Sequence, residues 1–459
     1  MPAVPATSDP AAVALANEAS AHYAAKRFAA AETAIRKAIA LAPGDPELWN
    51  ALGVFQRMAG RPQDALLSYR HALSLFADHA GAWSNHGNAL RDLKYVEGAV
   101  ISHRRAIALR PQAAGFHHNL GLALVAANRH NEALEAFDKA VTLDPDDSRI
   151  RWDRALSNLQ LQNFKRGWAD YPSRFDLGEI PKRDLPGKLW AGRRYRRKRL
   201  LILSEQGFGD FIWASRFLKA AKALGGELIV ECRPELLSLV ESIGVADRVI
   251  SVGEKLPEAD YHCYVCSLPG YFVTGPRSIP QAPYIAAMSD RSARFELAMK
   301  PAGRLLRVGI VWSGSTTSGA NADRAMPLAA FVSAFSIPGV QLFSLQKGPP
   351  QAQLEKLPDA SVIDLSAQLH DFADTAGAIA QLDLVIMTDS AVGHLAGAMG
   401  KPCWVLLNHV PFWIWFKERG DSPWYPSLRL FRSRVWGDWT SPADAAAAAL
   451  YHEVARRKA

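Results

Sequence analysis

The 459 residues carry a formal charge of +8, are 49% hydrophobic and include four cysteines. This is an ordinary globular composition, which excludes a wholly disordered chain, and Cys232, Cys263, Cys266 and Cys403 are too few and too irregularly spaced for a disulfide framework. No stretch approaches the roughly 18 apolar residues of a membrane span, and Met1 to Ala14, broken by Pro2, Pro5 and Pro10, has no basic segment of a secretory signal. A cytoplasmic location is therefore expected, with residues 1–11 a disordered start. The positive charge suits anionic partners without choosing among them, and no nucleic-acid role is expected.

From residue 12 a period of 34 governs the sequence. Ala31, Ala65, Ala99 and Ala133 keep that step, as do Ala38, Ala72, Ala106 and Ala140, and Gly53, Gly87 and Gly121. Small residues at fixed places let paired helices cross closely, while Pro43, Pro111 and Pro145 end the second helix of their repeats. The pattern resembles the tetratricopeptide repeat, with four copies over 12–147 and a degenerate fifth, so that 12–176 forms one helical superhelix. Asn50, Asn85, His117 and Asn119 are candidates for exposed positions on its concave surface, where such arrays hold a peptide or protein segment. A homodimer through the repeats is compatible with the same pattern.

Residues 177–199 read as a basic linker that closes on Arg193, Arg194, Arg196, Arg197, Lys198 and Arg199, a run best taken as a solvated boundary. From Leu200 short apolar runs alternate with amphipathic stretches, the signature of parallel strands with crossover helices. Two such series predict two Rossmann-like lobes, at 200–300 and 301–459, joined near the prolines 276–283 and Pro301. The C-terminal alanine-rich helix is expected to pack across both lobes. Cys263 and Cys266 lie in a strand-like segment and read as core.

Each lobe holds a strand followed by small or capping residues. Ser204 to Asp210 follows LLIL; Gly207 and Gly209 allow close backbone approach, and Asp210 falls at a helix start, as a cleft carboxylate or a cap. Asp389 and Ser390 follow DLVIM and open another helix, whose free N–H groups would suit a diphosphate, with His394 one turn later as a further donor or a buried ring. A D-x-D metal pattern occurs clearly only at Asp144-Pro145-Asp146, far from these residues, so no catalytic metal is expected. Phe412, Trp413, Trp415, Phe416, Trp424 and Tyr425 read mainly as core, with Asp421 and Trp424 of some interest for a ligand.

EQGFGD (Glu205–Asp210), VWSG (Val311–Gly314), Asp323-Arg324-x-x-Pro327, SLQKG (Ser344–Gly348), DFADTA and the block from Asp389 to Leu407 together resemble the heptosyltransferase-like, family 9-like glycosyltransferases of the GT-B fold. The resemblance is particularly to the bacterial branch that carries tetratricopeptide repeats, including flagellin-modifying enzymes. The resemblance implies that Asp210 is the general base. It implies that Arg324, Lys347, Asp389, Ser390 and His394 hold the donor, and that Gly207, Gly209 and Gly314 line the loops at the cleft. It further implies inverting, metal-independent transfer of a sugar from a nucleotide-sugar, with no other cofactor. The acceptor expected is a protein held by the repeats, with flagellin one candidate; a surface polysaccharide or lipid-linked glycan, or an inactive repeat scaffold, are the alternatives.

Overall fold

The computed structural model describes residues 9–178, 180–316, 321–357 and 362–458. The expected disordered start falls partly on residues 1–8, outside the described residues; helix already begins at Pro10, where the Asp9 carboxylate accepts from Ala11 N–H at 2.8 Å. Contacts divide the chain into two units, Met1–Asn158 and Leu159–Ala459.

The first unit is built from helix pairs: α1 (Pro10–Ala24) with α2 (Phe28–Leu41), α3 (Pro46–Met58) with α4 (Pro62–Leu75), α5 (Ala80–Asp92) with α6 (Val96–Leu109), and α7 (Ala114–Ala126) with α8 (His130–Leu143). The repeated alanines are fully buried at the crossings. An ideal Cβ added to Gly53, Gly87 or Gly121 would fall 2.4, 2.7 and 2.4 Å from the rings of Tyr69, His103 and Phe137, so one slot recurs with an aromatic plug. The first helices α3, α5 and α7 also carry a ring whose N–H reaches back: Trp49 to Pro43 O, Trp83 to Ala77 O and, in its tautomer bearing Nε2–H, His117 to Pro111 O, at 2.8–2.9 Å. Lys26, Gly60, Lys94, Asn128 and Gln162, again 34 apart, all take positive φ where the chain turns between paired helices. That period is invisible in the residue types, because the left-handed turn tolerates several of them at a modest cost.

The four concave-surface candidates are corrected by this packing. Asn85 Nδ2 donates to Asn50 Oδ1 (2.9 Å), Asn119 Nδ2 donates to Ser84 Oγ (3.1 Å) and His118 meets Asp153 (2.6 Å), a ladder of pairs 35 residues apart. Asn50 and His117 are buried and the two other asparagines half-buried. Asn50 and Asn85 satisfy one another between repeats, Asn119 finds the Ser84 hydroxyl and His117 the Pro111 carbonyl, as buried polar groups must find partners.

The second unit begins inside the fifth helix pair, α9 (Ser148–Gln160) and α10 (Phe164–Asp170), and not after it. Phe164 and Trp168 of α10 join an aromatic layer with Trp413, Phe416 and Trp424, and Arg174 is fastened to Glu205, so the expected repeat boundary at 176 lies too late. Nor is 177–199 a linker. Its β1 (Lys188–Leu189) pairs in parallel with β5 (Tyr261–Tyr264), and Trp190 and Tyr195 are buried. The other strands of this sheet are β2 (Arg199–Leu203), β3 (Glu227–Cys232) and β4 (Arg248–Ser251), in the order β1-β5-β2-β3-β4, with helices α11 (Phe208–Ser215), α12 (Leu218–Ala223), α13 (Leu237–Ile243) and α14 (Leu268–Phe272).

A second sheet comprises β6 (Leu306–Val311), β7 (Val340–Ser344), β8 (Val362–Asp364), β9 (Leu384–Thr388), β10 (Cys403–Leu407) and β11 (Leu428–Arg432), ordered β11-β10-β9-β6-β7-β8. All its pairings are parallel, and β6, β9 and β10 are apolar almost throughout because helices cover both faces. Those helices are α15 (Ser289–Ala298), α16 (Leu328–Phe335), α17 (Phe372–Ala380), α18 (Ala391–Ala398) and α19 (Thr440–Lys458). The junction lies before the expected residue 301: α15 packs on α17, with Arg291 donating to Asp374 at 2.5 Å, and Tyr284 N–H already bonds Ala398 O. Helix α19 does not bridge the two sheets, since Ala443, Ala446, Leu450 and Val454 enter the core of the second with Leu306 and Phe331. The region is thus an α/β unit of parallel sheets and covering helices.

Candidate functional site

In doubly wound sheets, ligands bind beyond the carboxyl ends of the strands where the order reverses. In the second sheet the reversal lies between β6 and β9, and in the first between β2 and β5. Strand β2 runs into Ser204–Gly207 and α11, β6 into Trp312-Ser313-Gly314, and β9 into Asp389-Ser390 and α18. The sequence-derived loops therefore fall at the reversal points.

Asp210 is the third residue of α11, and its Oδ2 accepts from Gly207 N–H at 3.0 Å. It is thus a helix cap, yet it remains half-buried and not sealed. A Cβ on Gly207 would lie 3.1 Å from that same Oδ2, so glycine there leaves the carboxylate uncovered. Burial raises Asp210 to about 6; Asp389 and Glu205 push the same way, while the Gly207 N–H and Arg324 oppose it. A carboxylate so poised is largely ionised at neutral pH and close to the range where a general base works best.

Gly209 serves packing more than ligand approach. Its Cβ would stand 2.8 Å from His394 Cδ2 and 3.3 Å from Ala391 Cα, so α11 and α18 touch where they begin. This contact brings the two reversal points together within the unit. Gly314 is similarly tight, with a Cβ position 3.3 Å from Asp389 O and 3.1 Å from Asn321 Oδ1.

Arg324 Nη1 lies 3.6 Å from Asp389 Oδ2, and its side chain is partly accessible. Burial raises the Asp389 carboxyl against the pull of that guanidinium. Ser390 is the N-cap of α18 by its extended backbone, but its side chain makes no capping bond and its buried Oγ has no hydrogen-bond partner among the described residues. Lys347 is exposed and donates to Ser366 O at 2.9 Å, which ties it to the loop after β8.

His394 is corrected as a phosphate donor. Its ring is buried, stacks on Trp415 at 5.1 Å and shares a 3.0 Å hydrogen bond between Nδ1 and Tyr425 Oη; burial pushes its pKa down to about 3. A neutral ring enclosed by aromatic groups forms the floor of the helix pair. Trp413, Trp415, Phe416, Trp424 and Tyr425 are likewise core residues, whereas Asp421 is exposed and paired with Arg419.

Three anchors were not singled out from sequence. Glu205, its side chain fully buried, accepts from Arg174 Nε and Nη2 (2.9 Å each) and from Cys266 N–H (3.0 Å), fixing the loop that carries Asp210. Gln346 Oε1 accepts from the N–H groups of Trp312 (3.2 Å) and Ser313 (3.0 Å), clamping the β6 loop. Arg216 donates to Trp424 O at 2.7 Å and lies over the Tyr425 ring, tying the end of α11 to the second sheet's side. Glu205 lies in EQGFGD and Gln346 in SLQKG, but only their burial reveals what they hold.

Tetratricopeptide-repeat family models match residues 16–80 and 114–147. The N-terminal unit is therefore a helical superhelix of tetratricopeptide repeats. Over 451 residues the chain is 26% identical to Protein FlbA of Caulobacter vibrioides, spanning 91% of this chain and 69% of that protein. Among solved structures, a thermophilic tetratricopeptide-repeat protein of Thermus thermophilus is 22% identical, with a TM-score of 0.34 over 36% of this chain and 91% of its own. The Pseudomonas aeruginosa pilF structure is also 22% identical, with a TM-score of 0.35 over 38% of this chain and 78% of its own. No helix among the described residues is long and apolar enough to cross a membrane.

Proposed function

We propose that the chain is a GT-B-type glycosyltransferase whose repeat unit holds a protein acceptor, with flagellin one candidate, and whose α/β unit transfers a sugar to it from a nucleotide-sugar. The observation that carries this reading is the contact of α11 with α18 at Gly209 and His394, which brings the helix start that bears Asp210 to the helix start beside which Arg324 lies 3.6 Å from Asp389. Asp210 takes the proton of the acceptor hydroxyl as that oxygen attacks the sugar carbon. The bond to the nucleotide phosphate breaks on the opposite side, which inverts the carbon. Arg324 meets the growing charge of the leaving phosphate, and the N–H groups at the start of α18, beside Ser390, add fixed dipoles. Lys347, on the loop after β7, supplies a second cation once released from Ser366. Asp389 orients Arg324 before the donor arrives. No metal enters this scheme.

The test is thermal denaturation with a panel of nucleoside mono- and diphosphates. Ligand at about 100 times its dissociation constant adds roughly 2.7 kcal/mol to the state it binds, a shift of several degrees for a unit of this size. One nucleotide should shift the α/β transition and Arg324→Ala should lose that shift. A well-folded sample that responds to none would favour the inactive-scaffold reading.

A further inference from the structure

The arginine run before β2 has no part in the cleft. Arg199 turns back to Glu227 (3.2 Å) and Glu258, and Lys198 donates to Tyr261 Oη at 3.2 Å. Arg193, Arg194, Arg196 and Arg197 are exposed and, among the described residues, have no carboxylate partner. The loop that carries them is held from beneath. Trp190 and Tyr195 are buried, their rings meet edge to face at 6.0 Å, Trp190 Nε1–H donates to Arg193 O at 2.8 Å, and Tyr195 N–H reaches Leu224 O.

Two further features point outward. Arg197 closes the turn at φ 59, the left-handed region in which glycine or asparagine is at ease and a long side chain is strained. Beside the loop, Leu189 on the edge strand β1 is 62% exposed and Tyr271 37% exposed, the latter held by a 2.7 Å hydrogen bond from its Oη–H to Trp190 O. Four guanidinium groups with no carboxylate partner among the described residues thus stand together on one anchored knuckle of the chain.

We infer that this knuckle docks the protein on an anionic lipid bilayer, the four guanidinium groups meeting lipid phosphates. Single-stranded nucleic acid fits the surface less well, because the rings that could stack on bases, Trp190 and Tyr195, are buried. The knuckle lies at the amino end of β2 and Asp210 beyond its carboxyl end, so docking leaves the carboxyl-end cleft turned away from the bilayer. The inference does not depend on the transfer reaction, since binding is its readout.

The test sediments the full chain with vesicles of phosphatidylcholine containing about one-third phosphatidylglycerol, against phosphatidylcholine alone; each guanidinium removed should weaken binding by about fivefold. The combined variant R193Q/R194Q/R196Q/R197Q should therefore lose binding by two orders of magnitude or more, the product of about four such steps. Arg197→Gly alone should bind about fivefold more weakly while its thermal midpoint stays level or rises, because glycine relieves the turn. Equal binding to both vesicle types, full binding by the combined variant, or displacement of the protein from anionic vesicles by an equal charge of single-stranded oligonucleotide would overturn the inference.

Discussion

The repeat unit and the α/β unit solve the burial of polar groups in opposite ways. In the repeats, neighbouring helices share many small contacts, an amide to an amide, a ring N–H to a carbonyl six residues back, an aromatic ring under a glycine, with the carboxylate of Asp153 met by a histidine. In the α/β unit, buried carboxylates are paired with arginines over long sequence separations, Glu205 with Arg174, Glu231 with Arg183, and Asp374 with Arg291. The first design spreads stability over many similar interfaces. The second concentrates it in a few anchors, one of which positions the loop of Asp210, so damage to a single pair should reach the site.

The sharpest way to break that contrast is Glu205→Ala, which leaves the buried Arg174 guanidinium unpaired and should cost about 3–5 kcal/mol. Calorimetry should show the α/β transition falling while the repeat transition holds; loss of both together would mean that the units do not melt separately. Next in size is Gly121→Ala, whose added Cβ lands on Phe137. It should cost about 1–3 kcal/mol, confined to the repeat transition.

A smaller change should run in the opposite direction. His103 fills the slot that Tyr69 and Phe137 fill elsewhere, with neither ring nitrogen hydrogen-bonded among the described residues, and burial pushes its pKa down to about 3. His103→Phe should stabilise the repeats by about 1 kcal/mol at neutral pH. Because the unfolded imidazole gains a proton below about 6.5 and the folded one does not, His103 costs the fold about 1.4 kcal/mol per pH unit below that value, down to its own pKa. His86, lowered to about 4 by burial, acts in the same sense. The variant should therefore show a flatter loss of stability in acid, measured by denaturant titration from pH 7 to the acid side, and an unchanged slope would show that the ring is solvated.

Period and motif made different parts of this molecule legible. The 34-residue step exposes the helix pairs because each repeat meets the same neighbours, and so Ala31 and its equivalents fall at crossings as expected. It does not reveal which polar residues face solvent: Asn50 and Asn85 look like surface groups until their mutual hydrogen bond is seen. The strand-and-glycine motifs lead to the reversal points, since local turns there are written in small and capping residues. They cannot say that Gly209 is small because of His394, a residue of the other sheet's helix, nor that Glu205 is an anchor for Arg174. Those facts depend on contacts that no local pattern encodes. Boundaries suffered for the same reason, because α10, β1 and α15 take their membership from distant partners.

In the proposed transfer, Asp210 takes the acceptor proton in a cleft where Arg324 holds the donor phosphate. Once the donor nucleotide is identified, its release from the nucleotide-sugar in the presence of acceptor should be followed from pH 5 to 8 for the parent chain and Asp210→Asn. The parent rate should fall away below about pH 6, where the raised Asp210 carboxyl gains its proton, and the variant should be slower by roughly 10²–10⁴-fold with nucleotide binding intact. A variant that turns over at the parent rate, or a parent rate level through pH 5, would contradict it.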